Sequence, residues 1–183
     1  MTISNPRAAG LVPAFVLLTW GCSPSGGAGH PAPEPVASGT LRNAAGDRIG
    51  VATLTDTSGT LRLGLSVAQL SPGPHGLHFH ARGTCTPPDF ASAGAHFNPE
   101  GRKHGRLNPE GPHLGDLPNL IVGPDGSADT SFMVPRELAG TGPRSLLQPG
   151  GTALVVHAGA DDERTDPGGN SGDRIACADI EPG

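Results

Sequence analysis

The chain has 183 residues, with 12 lysines and arginines against 17 aspartates and glutamates, which gives a formal net charge of −5. This acidic balance argues against a nucleic-acid-binding protein, which normally presents a basic face. Aromatic residues make up only 3% of the sequence and tyrosine is absent, so a core must be built from leucine, valine, isoleucine and alanine. Eight histidines beside three cysteines are the unusual feature, and they point to bound metal.

The N-terminus has the pattern of an export signal, which we assign to residues 1–21. Residues 11–20 (LVPAFVLLTW) are too short for a membrane-spanning helix of about 20 residues but are typical of a signal peptide. The run ends at Gly21-Cys22-Ser23, which resembles a bacterial lipoprotein processing site with Cys22 as the lipidated residue. The alternative is an ordinary secretory signal with a chance cysteine. Both place the protein in the periplasm or cell envelope, and lipidation would anchor it to the membrane.

Residues 22–38 are rich in glycine, proline, alanine and serine, and they predict a flexible tether before one domain over residues 39–183. With Cys22 assigned to the lipid, Cys85 and Cys177 remain as an even pair. In an oxidising compartment such a pair favours one disulfide bond. The alternative is two buried free thiols.

The domain sequence indicates short strands separated by turns. Leu61, Leu63 and Leu65 alternate with polar or small residues, as in a strand that is buried on one face. Similar patterns predict about eight strands, around Leu41 and at residues 51–55, 59–67, 75–80, 119–122, 127–134, 152–157 and 174–180. No stretch has sustained helical periodicity, so we expect an antiparallel sandwich or barrel. Residues 81–118 and 158–173 lack strand patterns and predict two long functional loops.

The histidines concentrate on one predicted strand and in these loops. His78 and His80 are two residues apart on a strand, so both rings lie on the same face and can bind one ion together. His157 ends another strand, and Asp161 follows it as a carboxylate that could orient a ligand ring. The first long loop adds His96, His104, His113 and Asp116. This spacing predicts a histidine-rich site for one or two ions, and it leaves both zinc and copper open.

Five ordered sequence blocks then carry a resemblance to a known family. They are HGLHFH (75–80), GAHFNPEGRKHG (94–105), GPHLGDLPNL (111–120), GTALVVHAGADD (151–162) and GNSGDRIAC (169–177). Over residues 36–180 the chain resembles copper/zinc superoxide dismutase, in a bacterial, exported lipoprotein form. The resemblance implies an all-β fold, an eight-stranded antiparallel Greek-key barrel or immunoglobulin-like sandwich.

The resemblance also implies one copper and one zinc ion per subunit and a role for each site residue. The implied copper ligands are His78, His80, His96 and His157. The implied zinc ligands are His96, His104, His113 and Asp116. Asp161 would link His78 to His104, Arg174 would position the superoxide anion, and His96 would donate a proton. Cys85 and Cys177 match the intrasubunit disulfide of the family, and a homodimer is a candidate assembly.

Three other functions remain as alternatives. The first is a non-catalytic exported protein that binds copper or zinc on the same scaffold, for which a lost copper ligand would be the usual sign. The second is a zinc hydrolase, which needs an open metal position and a general base. The third is a structural β-domain with incidental histidines. The full ligand set favours the dismutase, which converts two superoxide anions to O2 and hydrogen peroxide.

Overall fold

The computed structural model describes residues 1–2 and 34–183, so the predicted signal peptide, Cys22 and most of the predicted tether lie outside the described residues. Among the described residues, no helix has the length and apolarity needed to cross a membrane. The nine strands are β1 (Pro35–Asn43), β2 (Arg48–Asp56), β3 (Leu61–Val67), β4 (Gly73–His75), β5 (Leu77–His80), β6 (Leu120–Val122), β7 (Ala128–Val134), β8 (Thr152–His157) and β9 (Arg174–Pro182). Two short 3-10 helices span Ala91–Ala93 and Arg136–Ala139.

Seven strands form one antiparallel sheet in the order β5-β8-β9-β1-β2-β3-β7, and β4 pairs with β6 in a second, two-stranded sheet. Strands β1, β2 and β3 follow one another as hairpins, while β9 returns from the end of the chain to lie beside β1. This arrangement is that of a Greek key. The predicted all-β, antiparallel fold class is therefore confirmed.

The core forms on the predicted face of each strand. Leu61, Leu63, Leu65 and Val67 are buried, and the residues between them are exposed or half-buried. Leucine, valine and alanine make up most of the remaining core, with Phe79 as one of its few aromatic side chains. The sparse aromatic content of the sequence is thus compatible with a continuous core, because aliphatic side chains from neighbouring strands fill it.

Two boundaries differ from the sequence prediction. The predicted strand at 75–80 divides at Gly76, because the Gly76 backbone turns to bond Gly159 and His157 while its two halves join different sheets. The first strand begins at Pro35, where the sequence predicted tether up to residue 38. Pro35 pairs with Thr55 and Ala37 is fully buried, so residues 35–38 belong to the domain.

The two long connections, residues 81–119 and 158–173, pack against each other beside β5 and β8. The Asn119 side chain bonds the Asp161 backbone in both directions, at 2.9 and 2.8 Å. The Leu107 N–H donates to the Glu163 carbonyl at 3.0 Å. Gly169, at φ +63°, lies where a Cβ would collide with the Asp161 carboxylate, so only glycine leaves room for that side chain. The fold thereby places both loops over the strands that carry histidines.

Candidate metal centre

Three histidines lie on adjacent strands. His78 and His80 are on β5, which pairs with β8, and His157 is the last residue of β8. The His80 Nδ1 bonds the Gly94 carbonyl at 2.9 Å, and the His157 Nδ1 bonds the Gly172 carbonyl at 3.0 Å. A carbonyl can only accept, so each Nδ1 is the protonated nitrogen. Each Nε2 is left with a free lone pair, and the two Nε2 atoms are 3.4 Å apart.

His78 is fully buried and is oriented by a carboxylate. Its Nε2 donates to Asp161 Oδ2 at 2.8 Å, and the opposite nitrogen, Nδ1, has no hydrogen-bond partner among the described residues. The ring of His96 stacks on the His78 ring with centroids 4.0 Å apart. A buried ring nitrogen without a partner is costly unless another group uses its lone pair, and a metal ion is such a group.

Asp116 gathers the histidines of the first loop. Its Oδ1 lies 3.1 Å from Nδ1 of His96, 3.1 Å from Nδ1 of His104 and 3.2 Å from Nδ1 of His113. The other carboxylate oxygen, Oδ2, accepts the backbone N–H groups of Gly105 and His113, both at 2.9 Å. The carboxylate is therefore fixed by the backbone while three imidazole nitrogens converge on one oxygen.

Asp161 joins the two groups of histidines. One of its oxygens binds His78 at 2.8 Å, and the other binds Nε2 of His104 at 3.0 Å. His104 is also fully buried, and its Nδ1 is a second ring nitrogen without a hydrogen-bond partner in the described part of the chain. Each unpartnered Nδ1 thus belongs to a ring whose Nε2 is tied to the same carboxylate.

Burial and neighbouring charges give the histidines of the site different pKa values. Burial lowers the pKa of His80 to about 2, and that of both His96 and His157 to about 4. Burial also opposes the charged form of His104, but the neighbouring carboxylates of Asp116 and Asp161 raise its pKa to about 9. The same contacts outweigh burial for the two aspartates and hold the pKa of each carboxyl well below its usual range. His80, His96 and His157 are thus neutral imidazoles near neutral pH, the form that binds metal.

Two donor sets have the dimensions of metal sites. In each set, one ligand atom per residue lies within 4.8 Å of every other. The first set is His78, His80, His96 and His157; the second is His78, His96, His104 and Asp116. His113 is outside the second set by this measure, although its Nδ1 is 3.4 Å from that of His96. Cys85, Cys177 and Asp179 also lie within this distance, but the sulfurs are bonded to each other.

Arg174, the first residue of β9, faces a cavity of about 490 Å³ beside the first donor set. His80, His96 and His157 line this cavity together with residues 165–168 and 170–172. The Arg174 guanidinium donates to the carbonyls of Phe90 and Gly94, each at 2.6 Å. Since Gly94 also accepts from His80, one carbonyl orients both the cation and a metal-binding ring.

Comparison with known proteins identifies this arrangement. Residues 48–180 match the family model for copper/zinc superoxide dismutase (SODC). The chain belongs to the copper/zinc superoxide dismutase family. It is therefore an oxidoreductase of the superoxide dismutase class, with copper and zinc as its metals.

Relatives within the family cover most of the chain. Superoxide dismutase (Cu-Zn) 2 of Aquifex aeolicus is 46% identical over 142 residues, which are 76% of this chain and 83% of that protein. Among solved structures, a double mutant of a SOD-like protein from Bacillus subtilis has a TM-score of 0.74 and 40% identity, and covers 77% of this chain and 94% of that one. The Cu/Zn superoxide dismutase from Brucella abortus has a TM-score of 0.62 and 29% identity, over 79% and 99% of the two chains.

The structure brings together every described residue that the sequence singled out for the site. The Cys85–Cys177 bond, with Cα atoms 5.6 Å apart, ties the first loop to β9 three residues beyond Arg174. His75, the last residue of β4, bonds the His157 carbonyl at 2.7 Å and so supports a strand histidine. Sequence reasoning missed the carbonyls of Phe90, Gly94 and Gly172, because every residue has a carbonyl and the residue type gives no signal.

Proposed function

We propose that this chain dismutates superoxide by copper cycling, with copper in the first donor set and zinc held by His96, His104, His113 and Asp116. One observation carries the proposal. His78 and His104 each bury a ring nitrogen without a hydrogen-bond partner among the described residues, one on the side of the strand histidines and one on the side of Asp116, and one carboxylate fixes both rings. Two metal ions that share a scaffold explain both nitrogens at once.

The free nitrogens assign the ligands. The copper donors are Nδ1 of His78 and Nε2 of His80 and of His157, since the other nitrogen of each ring has an oxygen partner. All-imidazole ligation suits copper. The zinc donors are Nδ1 of His96, His104 and His113 with a carboxylate oxygen of Asp116, a three-nitrogen, one-oxygen shell that suits tetrahedral zinc. His96 lies in both donor sets and would contribute one ring nitrogen to each ion.

When bound, copper supplies one-electron chemistry by cycling between Cu(II) and Cu(I) as one superoxide is oxidised to O2 and another reduced to hydrogen peroxide, while zinc is not redox-active. His96 has its Nδ1 on the Asp116 side, and its Nε2 lies near Gly168 in the cavity wall. We assign a proton step to this Nε2. A proton held at this Nε2 would lie beside the cavity that the substrate enters.

Arg174 holds the anionic substrate in the cavity. Its guanidinium is anchored by two carbonyls and leaves donor groups toward the space that His80, His96 and His157 line. Arg174 is a fixed cation beside these imidazoles and Asp166 is a carboxylate in the same cavity wall, so the local charges rather than the acidic net charge of the chain act on the substrate. Arg174 therefore positions superoxide next to the first donor set.

A second candidate is a non-catalytic copper- or zinc-binding protein on the same scaffold. The relative that is named a superoxide dismutase-like protein, from Bacillus subtilis, is 41% identical over 75% of this chain. Against this candidate, all four nitrogens of the first donor set converge here. We therefore place the dismutase first.

The test is superoxide dismutation by the purified protein loaded with copper and zinc, beside a sample that holds zinc alone. We expect activity in the first sample only. Inactivity with both metals bound at full occupancy and an intact disulfide would overturn the proposal in favour of the metal-binding protein.

We further propose export to the periplasm or cell envelope with a lipid anchor at Cys22, supported by the apolar run at 11–20 and the Gly21-Cys22 junction. The intact mass of the protein from membranes should show cleavage before Cys22 and added acyl groups. An intact mass without acyl groups would leave an ordinary secretory signal as the explanation.

A homodimer stays a prediction, which the molar mass of the protein in solution tests directly.

A further inference from the structure

A cleft lies beside the Cys85–Cys177 disulfide, where β1 and β9 are neighbouring strands. Within these described strands, β1 pairs with β9 at residues 37–38 and again at 42–43, but not between. Gly39 lies in the interruption, where a Cβ would collide with the Asp179 backbone. The missing side chain and the interrupted ladder leave a cavity of about 300 Å³, whose walls include Arg42, Cys85, Cys177, Asp179 and Glu181.

The disulfide and a carboxylate share this cleft. One oxygen of Asp179 and the two sulfurs all lie within 4.8 Å of one another. Cys85 is half-buried, whereas Cys177 is fully buried among Phe90, Ala93 and other apolar residues. Cys85 is therefore the more exposed cysteine of the pair, and we take its sulfur as the point of attack.

Asp179 has an unusual environment for a surface-strand acid. Its Oδ1 is shielded from solvent and has no hydrogen-bond partner among the described residues. Burial raises the pKa of Asp179, and the neighbouring Glu181 raises it further, while the Cys85 backbone N–H and Arg42 act in the opposite direction. Glu181, the Cys85 N–H and Arg42 are thus the three charged or polar groups among the described residues that act on the carboxylate.

We propose that this cleft is the site at which external thiols reach the Cys85–Cys177 bond, and that Asp179 selects among them by charge. An ionised carboxylate within 4.8 Å of both sulfurs repels an approaching anion and favours a thiol that carries a cationic group. Nothing in the metal chemistry requires an acid at this place, whereas thiol selection explains why a partly buried carboxylate faces a disulfide.

The exchange consumes a thiolate and returns one. The external thiolate attacks Sγ of Cys85, a new sulfur–sulfur bond forms, and the Cys85–Cys177 bond breaks with its electron pair on Cys177. The Cys177 thiolate then takes a proton from solvent through the cleft. A second external thiolate attacks the mixed disulfide and releases Cys85, so two thiols become one external disulfide while the protein gains two thiols.

The experiment measures the rate of this reduction with two thiols of opposite character in the copper- and zinc-loaded protein. Cysteamine carries an ammonium group, and glutathione carries excess negative charge. Rate constants are determined at about pH 8, normalised to thiolate concentration, by acid quench, alkylation and intact mass. We expect Asp179→Asn to lower the cysteamine-to-glutathione rate ratio roughly three- to tenfold, because one charge near the bond is removed.

Two further variants sharpen the test. Glu181→Gln removes a more exposed carboxylate from the same strand and should change the ratio by less than Asp179→Asn, whereas Arg42→Gln removes the opposing cation and should raise it. The wild-type ratio should also fall as ionic strength rises from about 0.01 M to 0.5 M, which needs no variant. An Asp179→Asn ratio equal to wild type, or a wild-type ratio insensitive to salt, would overturn the proposal.

Discussion

The two halves of the metal centre are held in different ways. His80 and His157 come from paired strands, and backbone carbonyls fix their rings, so their positions follow from the sheet. His104 and His113 come from a long loop, and the carboxylates of Asp116 and Asp161 gather them. The strand half is thus positioned by the sheet. The loop half is positioned by two carboxylates, whose negative charge a bound metal ion would balance.

The pKa values of the histidines reflect this difference. Burial lowers the pKa of His80 and His157, so their rings are neutral and ready to bind without losing a proton. Carboxylates raise the pKa of His104 to about 9, so a metal ion must displace a proton there. We therefore expect the strand half to survive removal of metal better than the loop half.

The largest expected effect comes from removing a strand ligand. His80→Ala should lower superoxide dismutation by about three orders of magnitude, because the electron chemistry belongs to the bound copper. Zinc content and the melting temperature of the zinc-bound protein should change little. Metal analysis and activity on the same sample measure both.

The matched variant in the loop half is His113→Ala. It should lose zinc and destabilise the protein while copper stays bound, the reverse of the expected pattern for His80→Ala. If both variants lost both metals to the same extent, the two halves would form a single cooperative unit and the comparison would fail.

The second effect concerns the residue that joins the halves. Asp161→Asn keeps the side-chain shape but removes the charge that binds His78 and His104. We expect zinc affinity to fall about 10- to 100-fold, the usual loss for an outer carboxylate. Copper affinity should fall less, because carbonyls still orient the other strand rings.

The control for Asp161→Asn is Asp162→Asn, an exposed neighbour whose oxygens bond Thr165 and Asn170 within its own loop. This variant should leave zinc affinity unchanged. Zinc competition titrations with a chromophoric chelator provide the measurement. Equal losses of zinc affinity in the two variants would assign the effect to the loop in general rather than to the contacts of Asp161 with His78 and His104.

Much of the fold could be predicted from the sequence, because alternation in β3 and the turns around it depend on local pattern. The strand histidines were predictable for the same reason, since a period of two places His78 and His80 on one face. His104, His113 and Asp116 follow no such period. Their convergence depends on how a 39-residue connection folds back, so their spacing indicated a metal site but only family resemblance divided them into ligand sets.

The remaining features depend on contacts between distant segments. The tautomers of His80 and His157 are set by the carbonyls of Gly94 and Gly172. Asp179 reads in the sequence as an ordinary polar position in a strand, and its place beside the disulfide becomes visible only when Gly39 and the ladder interruption are seen together. Backbone groups and gaps between strands have no residue-type signature.

The third effect is a pH dependence that distinguishes the halves in the metal-free protein. His96 and His157 have folded pKa values of about 4 against an ordinary 6.5, so the unfolded chain takes up more protons as pH falls from 6.5 to 4. The free energy of unfolding should therefore fall over this range. His104, at about 9, contributes stability that is complete below 6.5 and is lost as pH rises to 9.

Denaturant unfolding of the metal-free protein across this range should show a maximum near neutral pH, with a loss on the acid side from His96 and His157 and a loss on the alkaline side from His104. In the zinc-loaded protein the alkaline loss should disappear, because zinc replaces the proton on His104. A flat profile in the metal-free protein would show that these histidines are not held as the structure has them.

The smallest effect concerns Arg174, which belongs to β9 but binds the loop carbonyls of Phe90 and Gly94. Arg174→Ala should lower the rate of dismutation about tenfold at low ionic strength while copper and zinc stay bound, because it removes the cation of the cavity. Arg174→Lys keeps the charge but not the two-pronged anchor. If only the positive charge matters, Arg174→Lys should retain most of the wild-type rate. If the hydrogen bonds to the Phe90 and Gly94 carbonyls are needed to orient the cation, it should retain little. A full rate with alanine would remove Arg174 from the mechanism.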